Sequence, residues 1–411
     1  MKSERSWGRL AMKSEFITKP LSEIADIQTG PFGSQLHKKD YVQVGTPIVT
    51  VEHLGKKAFT KRNLPCVSND DKERLSKYIL QEGDIVFSRV GSVDRCSYVS
   101  HDYDGWLFSG RCLRVRPLME IDPQYLYYFF TLESTKQFVR GIATGATMPS
   151  INTKFMGEIP IVYPKIDVQR KIASIFNLID DKIELNRNIN ENLEEQLRSL
   201  FEKMFGYFIN SLDNSDIKLG NLIESVDNRG KTPPLSDEPT NYPIIDVRAL
   251  SGNSRIIDYT NCTKYVSEGT YNNWFRSGHP KEYDILISTV GSLAEMKLFL
   301  GNTGCIAQNV VGFRAKGISP LYLYQYLNYI KTDLVAYNIG SVQPSIKVTH
   351  IIKHSIYVAP KEEIVLFDSI ARDVTKKLFA NCQEIEVLKQ MRDTFLPKLM
   401  SGEIDVSNIE L

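Results

Sequence analysis

Two pairs of residues in this sequence have the types and spacing that metal-binding or catalytic groups can have. His350 and His354 share an i, i+4 spacing, which places two imidazoles on one face of a helix, where they can bind zinc. That spacing alone is more typical of two surface histidines than of a metal site. Asp84 and Asp284 each precede a β-branched run, a position where aspartate side chains commonly stabilise turns. We therefore predict neither a metal site nor a catalytic carboxylate.

The sequence motifs of several large enzyme classes are absent. The chain contains neither Gly-x-x-x-x-Gly-Lys-Ser/Thr nor Gly-x-Gly-x-x-Gly, and neither His-Glu-x-x-His nor Gly-x-Ser-x-Gly. The Asp/Asn-Pro-Pro-Tyr/Phe tetrapeptide of amino-methyltransferases is also missing, because Thr232-Pro233-Pro234-Leu235 matches it poorly. We expect a protein that binds a partner rather than one that catalyses a reaction.

Composition describes a soluble globular protein of two or three domains. Hydrophobic residues make up 42% and charged residues 24% of the 411 positions. No run approaches the roughly 18 consecutive apolar residues of a membrane span, and residues 1–7 lack the apolar core of a secretory signal, so we expect a cytoplasmic protein. The 6 cysteines form no Cys-x-x-Cys pair, which favours reduced core residues over zinc ligands or disulfides. The net charge of +1 shows no overall basic surplus.

An internal repeat organises the chain. Three segments return later in the same order, which indicates a duplication: residues 84–93 return as 284–293, 125–129 as 322–326, and 148–152 as 343–347. Each copy has a mixed, strand-rich part followed by a long helical pattern. We predict a mixed α/β (α+β) fold with a leader at 1–15, globular domains at 16–160 and 211–355, long helices at 161–210 and 356–405, and a tail at 406–411.

The two helical segments predict a pair of antiparallel coiled-coil helices. Apolar residues alternate at spacings of four and three along each segment, the pattern of a coiled-coil seam. Gly206 and Gly402 are expected to end the helices. Asn186 and Asn381 occupy equivalent seam positions, and we predict that they meet near a twofold axis and fix the register. The alternative is that both asparagines face solvent or a partner protein.

These features resemble one known family, the DNA specificity subunits of type I restriction–modification systems. The resemblance covers about residues 16–405, because two diverged domains alternate with two similar helices. The segments that carry it are Lys19–Ala25, Gly145–Asn152, Ile159–Pro164, Ile172–Ile175, Gly340–Lys347 and Phe395–Ile404.

The resemblance implies a non-catalytic subunit. In such proteins each target-recognition domain reads one half of a bipartite double-stranded DNA target, and the paired helices set the spacer between the halves. Two methyltransferase subunits dock on the specificity subunit, and restriction subunits join them. S-adenosylmethionine, ATP and Mg²⁺ would therefore be bound by the partners. Two other functions stay open: a coiled-coil scaffold that joins protein partners, and a duplicated DNA-modifying enzyme with an unrecognised motif.

Candidate DNA contacts are the polar and basic residues of glycine-bearing loops, because such side chains reach phosphates and base edges. In the first half they are Ser34, Gln35, Lys38, Lys39, Arg89, Ser92, Thr147, Ser150 and Asn152. In the second half they are Asn228, Arg229, Lys231, Gln308, Asn309, Gln343, Ser345 and Lys347. A purely structural role in turns is the alternative for each of these loops.

Overall fold

The computed structural model describes residues 16–33, 35–145, 147–211, 216–301, 303–306 and 308–406. The predicted leader and Ser34 lie outside these ranges. The chain divides into two units: the first takes the chain up to Asp181 and again from Leu388, and the second is Lys182–Val387. Each unit includes part of both long helices, whereas the sequence predicts the helices as segments separate from the globular domains. No helix in the described ranges has the length and apolar character needed to cross a membrane.

The strands are short and fall into two similar sets. The first set is β1 Ile17–Pro20, β2 Ala25–Thr29, β3 Tyr41–Val42, β4 Thr46–Val49, β5 Cys66–Val67, β6 Ile85–Ser88, β7 Cys96–Tyr98, β8 Leu107–Phe108, β9 Cys112–Pro117 and β10 Pro160–Tyr163. The second set is β11 Ile223–Val226, β12 Ile244–Ile245, β13 Ile285–Ser288, β14 Met296–Leu298, β15 Cys305–Ile306 and β16 Val310–Ala315.

The helices include two that are much longer than the rest. Those before the second set of strands are α1 Leu21–Ile24, α2 Asn69–Arg74, α3 Pro123–Thr131, α4 Glu133–Ile142, α5 Thr153–Gly157, α6 Ile166–Phe201 and α7 Tyr207–Asn210. The others are α8 Val247–Leu250, α9 Glu268–Trp274, α10 Pro320–Tyr329, α11 Lys331–Ala336, α12 Val348–Ile351 and α13 Lys361–Met400.

Each unit contains a four-stranded antiparallel sheet with the same connectivity. The order is β2-β9-β6-β7 in the first unit and β11-β16-β13-β14 in the second. The registers correspond as well, since Ile85 pairs with Val115 in the first sheet and Ile285 pairs with Phe313 in the second. The repeat seen in the sequence is therefore a repeat of sheet topology.

Both faces of these sheets are covered. Ile85 and Phe87 of β6 pack in one apolar cluster with helix α3, whereas Val86, which points to the opposite face, packs in another with β4 and β8. In the second unit Ile285 and Ile287 of β13 face one cluster and Leu286 faces another. Successive side chains of a strand point to opposite faces, so a continuous apolar run is what a strand buried on both faces requires.

A cation from the globular part of each unit contacts a long helix of the same unit. In the first unit Lys57 Nζ donates to Asn177 Oδ1 over 2.6 Å, and burial lowers the pKa of this lysine. In the second unit the buried Arg255 guanidinium pairs with Glu194 of α6, with 2.9 Å between Nη2 and Oε2. These contacts fix the helical and sheet parts of each unit to one another.

The first long helix does not end at Gly206 as predicted. After α6 the chain continues through a π-helical turn, residues 202–206, into α7. Gly206 has helical dihedral angles, and a Cβ at this position would lie 3.0 Å from the Tyr329 hydroxyl. This glycine therefore allows close packing within a helix. Gly402, by contrast, has a φ of 72° just beyond α13, the conformation of a helix-ending glycine.

The predicted seam is buried over most of both helices. The buried seam residues are Ile172, Phe176, Ile183, Asn186, Asn190 and Leu197 of α6, and Phe367, Ala371, Leu378, Asn381, Ile385 and Leu399 of α13. Near the end of each helix the buried position moves by one residue. The seam spacing predicts Leu200 and Phe395 as buried, but the buried residues are Phe201 and Leu396, and Phe395 is 38% exposed. A strict heptad pattern drifts by about 20° per heptad on a straight helix, which accounts for the shift.

The predicted pairing of Asn186 with Asn381 is wrong by one helical turn. Asn381 Nδ2 donates to Asn190 Oδ1 over 2.7 Å, and Asn186 Nδ2 donates to Glu384 Oε2 over 2.8 Å. From Asn186 to Asn190 the residue number rises along α6, while that of the hydrogen-bonded residue of α13 falls from 384 to 381. These segments of the second unit therefore run antiparallel. A seam pattern shows which residues face the partner helix but not the register along it, so the sequence could not identify the pairs.

Candidate nucleic-acid interface

The loops that carry the predicted DNA contacts lie together at one edge of each four-stranded sheet. In an antiparallel sheet of order β2-β9-β6-β7, the ends of β2 and β6 and the starts of β9 and β7 lie at the same edge. The loops that follow β2 and β6 and the loop that precedes β9 therefore meet there. The connectivity of the sheet thus places segments together that are far apart in sequence.

Backbone hydrogen bonds join these loops in the first unit. Arg89 N donates to Arg111 O over 2.8 Å, Ile151 N donates to Arg89 O over 3.0 Å, and Gly91 N donates to Pro149 O over 2.8 Å. A Cβ on Gly30 would lie 2.1 Å from Ser109 O, so only glycine permits this approach of the loop after β2. We call residues 30–33, 35–36, 89–92, 109–111, 144–145 and 147–151 the first loop edge.

The second unit repeats this arrangement. Thr289 N donates to Asn309 O over 2.8 Å, Ile346 N to Thr289 O over 2.9 Å, and Gly291 N to Pro344 O over 3.0 Å. Gln308 Nε2 donates to Thr232 Oγ1 over 2.7 Å, which ties in the loop after β11. We call residues 227–232, 289–292, 308–309 and 338–346 the second loop edge.

Arg89 lies at the centre of the first loop edge. Its Nη1 donates to Gly110 O over 3.2 Å, and its guanidinium carbon lies 5.9 Å from the centre of the Phe32 ring. Phe32 is 56% exposed, so an aromatic ring and a cation are presented together to solvent. Such a pair can contact phosphate and stack on nucleic acid.

The other predicted residues of the first half differ in solvent exposure and in whether their side chains have a hydrogen-bond partner. Gln35 Oε1 accepts from the Tyr78 hydroxyl over 2.8 Å, and Lys39 is exposed. Ser92 and Thr147 are exposed on the first loop edge. Ser34 and the side chain of Lys38 lie outside the described part of the structure.

Ser150 and Asn152 have structural partners. Ser150 exchanges two backbone hydrogen bonds with Thr144, at 2.7 and 2.9 Å. Asn152 Oδ1 accepts from Phe155 N over 2.9 Å and so caps the N-terminus of α5, a preferred role for asparagine. The side chain of Asn152 therefore has a structural role, the alternative to a DNA contact.

Asn228, the first residue of the predicted Asn-Arg-Gly-Lys loop, is 4% exposed. Its Nδ2 donates to Gly278 O and its Oδ1 accepts from Ser277 N, both over 2.9 Å. The expected DNA contact is thus replaced by a framework role, because the side chain has its hydrogen bonds inside the protein.

Arg229 is held by its neighbour Asp227. Arg229 Nη2 lies 2.6 Å from Asp227 Oδ2. Burial opposes ionisation of this carboxyl, but hydrogen bonds from Arg229 hold the pKa of Asp227 below its usual value. Arg229 and Lys231 line a shallow cleft with Trp274 and Arg276, where the cation and aromatic side chains recur in a different arrangement.

The remaining predicted residues of the second half lie on or beside the second loop edge. Gln343 and Lys347 are exposed, whereas Gln308, Asn309 and Ser345 are half-buried. The backbone of Ser345 accepts from Ile339 N over 2.9 Å, and its amide donates to Asn338 Oδ1 over 3.0 Å.

Sequence reasoning missed Phe32, Arg111, Trp274 and Arg276. Arg111 is exposed and directly precedes β9, as Asn309 directly precedes β16. Because Asn309 was a candidate, the repeat itself was the signal that should have identified Arg111. For Trp274 and Arg276 the repeat gives no such indication in the sequence, since their position beside the loop of Arg229 depends on tertiary folding.

The histidine pair does not form a metal site in the described residues. His354 Nδ1 lies 2.9 Å from the Tyr337 hydroxyl, and burial lowers the pKa of His354. Within those ranges no group of three or more His, Cys, Asp or Glu side chains is placed to hold a metal ion. Asp84 and Asp284 instead pair with Arg116 and Arg314, at 2.7 and 2.8 Å.

Comparisons with known proteins agree on one family. Residues 13–195 and 212–388 match the model of the type I restriction modification DNA specificity domain. The chain is 25% identical over 396 residues to the putative type I restriction enzyme MjaX specificity subunit of Methanocaldococcus jannaschii, covering 90% of this chain and 89% of that protein. It is 23% identical over 317 residues to the MjaIX specificity subunit of the same organism, covering 70% of each.

A solved structure has a similar fold. The type I restriction-modification system S subunit from M. genitalium aligns with a TM-score of 0.60 at 16% identity, covering 93% of this chain and 96% of that chain. This likeness supports the mixed α/β architecture with long helices.

Proposed function

Because the chain belongs to the type I restriction modification DNA specificity family, we propose that it selects the DNA sequence on which a type I restriction–modification complex acts. In this proposal the first unit reads one half of a bipartite target and the second unit reads the other half. The two half-sites differ, because the two loop edges carry different side chains.

The observation that carries this proposal is the repeated loop edge. Both units use the same backbone hydrogen-bond pattern, yet Arg89 corresponds to Thr289 and Arg111 corresponds to Asn309. A constant backbone with variable polar side chains is what recognition of two different sequences requires, since phosphate contacts position a protein and base contacts specify the sequence.

Basic residues on both edges supply the phosphate contacts in this proposal. At or beside the first loop edge they are Lys39 and Arg89, and at or beside the second they are Arg229, Lys231, Arg276 and Lys347. The net charge of the chain is only +1. We therefore expect modest affinity of the isolated chain for DNA, with further phosphate contacts made by its partners.

We propose further that the long helices set the unread spacer between the half-sites and dock two methyltransferase subunits. The buried seam and the Asn190–Asn381 hydrogen bond support a stiff helix pair in the second unit. In the first unit Arg392 and Asp180 join the same two helices at 3.0 Å. Apolar side chains that these helices leave exposed provide docking surface: Leu178, Leu185, Val387 and Met391.

Catalysis belongs to the partners in this proposal. Methyltransferase subunits would bind S-adenosylmethionine, and restriction subunits would bind ATP and Mg²⁺. The family resemblance supports this division, in which the present chain contributes sequence selection alone.

Selection from random DNA tests the proposal. The full chain is assembled with its methyltransferase partner, and duplexes retained from a random-sequence library are sequenced. We expect two short, different blocks of preferred bases separated by a stretch without preference. The methyltransferase without this chain is the control and should show no such blocks. Retention without any sequence preference would contradict the proposed function and favour a scaffold.

A further inference from the structure

We propose that Arg111 and Asn309 are equivalent base-reading residues, and that Arg111 selects a guanine in one half-site while Asn309 selects an adenine in the other. This inference rests on the proposed function, because it assigns base contacts within the two half-sites.

The backbone fixes both residues in the same way. Arg111 directly precedes β9 and Asn309 directly precedes β16. The carbonyl of each accepts from the residue after the neighbouring strand, Arg89 N or Thr289 N, over 2.8 Å in both units. Each of the two strands has a hydrogen-bonded neighbour on both sides. The two side chains therefore start from rigid and equivalent positions, which base reading requires.

Both side chains are available for a ligand. Arg111 is exposed and Asn309 is half-buried, and neither side chain has a hydrogen bond or an ion pair with another residue that the structure describes.

Four of the neighbouring candidates are already engaged. Arg89 bonds to Gly110 and contacts Phe32, and Arg229 is paired with Asp227. Gln308 bonds to Thr232, and Asn228 is buried. Arg111 and Asn309 are thus polar side chains that sit next to a central strand and still have their hydrogen-bonding groups free.

The chemistry of the two side chains leads to different bases. The guanidinium of arginine donates two parallel hydrogen bonds to O6 and N7 of guanine in the major groove, whereas asparagine pairs with N6 and N7 of adenine. Each such pair discriminates against a wrong base by roughly tenfold or more. Equivalent backbone positions in the two units thus carry side chains that recognise different bases.

Exchange of the two residues tests this inference in the assembled complex. With duplexes selected from a random library, R111N should change the preferred base at one position of one block from guanine to adenine. N309R should make the reverse change in the other block. Each change should alter the preference by about tenfold and leave the remaining positions as in the wild type.

R111K separates base reading from phosphate binding, because lysine keeps the charge but loses the planar fork. We expect R111K to lose most of the guanine preference. If R111N weakened binding to all sequences equally while R111K behaved as the wild type, Arg111 would be a phosphate contact and the inference would be overturned. The proposed function would survive that result as long as the wild type selected two blocks.

Discussion

At the scale of single residues, the second loop edge depends on a buried amide. Asn228 holds the loop of Arg229 against residues 277 and 278 through both polar atoms of its side chain. A buried polar group of this kind is needed less for contact with a ligand than for the shape of the loop. The residue type was visible in the sequence, but its role was not, because burial is set by residues about 50 positions away.

Replacement of Asn228 with alanine should lower the free energy of unfolding by ~1–3 kcal/mol, because Ser277 N and Gly278 O each lose the hydrogen bond that they make with this buried side chain. Thermal or urea unfolding of the full chain measures the change. N273A is a matched control, since Asn273 is exposed and, among the described residues, its side chain bonds to Gly269 O of its own helix alone. Equal stability of N228A and N273A would contradict the framework role.

We expect Lys297 to make the stability of the second unit depend on pH. Its side chain is 2% exposed, and Nζ donates to the carbonyls of Gly252 and Ser254. Burial lowers its pKa to about 8, although Glu194 favours the charged form. These bonds hold the segment that presents Arg255 to the long helices.

The lowered pKa predicts how stability changes with pH. Below about pH 8 Lys297 is protonated in both the folded and the unfolded chain, so it adds no pH dependence. Between this value and the ordinary value of 10.5 the unfolded chain binds more protons, so stability rises with pH. The difference in unfolding free energy between the wild type and K297M should therefore shift in favour of the wild type as pH rises.

Urea unfolding at pH values below and above this interval measures the shift. K264M removes an exposed lysine and should show no comparable change. A difference between the wild type and K297M that does not vary with pH would refute the expected titration.

At the scale of elements, the sequence predicted the type of structure better than its pairing. The apolar runs at 85–88 and 285–288 became strands buried on both faces, and the seam became two long helices. The sheet order was not predicted, and the predictions of a helix end at Gly206 and of Asn186 as the partner of Asn381 were wrong. Each depends on long-range contacts, for which periodicity along one segment carries no information.

The Asn190–Asn381 hydrogen bond predicts strong coupling between the helices of the second unit. N190L should lower the free energy of unfolding by ~1–3 kcal/mol, because the buried amide of Asn381 loses its acceptor. N190L/N381L should recover much of that loss, since apolar residues suit a coiled-coil seam. A urea-unfolding cycle of wild type, both single variants and the double variant measures the coupling.

Asn188 provides the control for this cycle, because it is exposed on the same helix; N188A should change stability little. Simple additivity of the two leucine substitutions would show that the asparagines do not interact.

At the scale of the whole molecule, duplication accounts for both what the two units share and how they differ. The shared parts are the sheet order, the Asp84–Arg116 and Asp284–Arg314 ion pairs and the loop hydrogen bonds. The differing parts are the side chains on the two loop edges. The sequence could locate most of these loops through the repeat, but it could not separate side chains with internal partners from those that face solvent.

The most direct test of independent reading compares R89A with R229A in the assembled complex, by selection from a random duplex library. Arg89 and Arg229 organise the first and second loop edges through contacts within their own units. Each substitution should therefore erase base preference in one block and leave the other block at the wild-type level. Loss of preference in both blocks from either single substitution would contradict the account that two units read two separate half-sites.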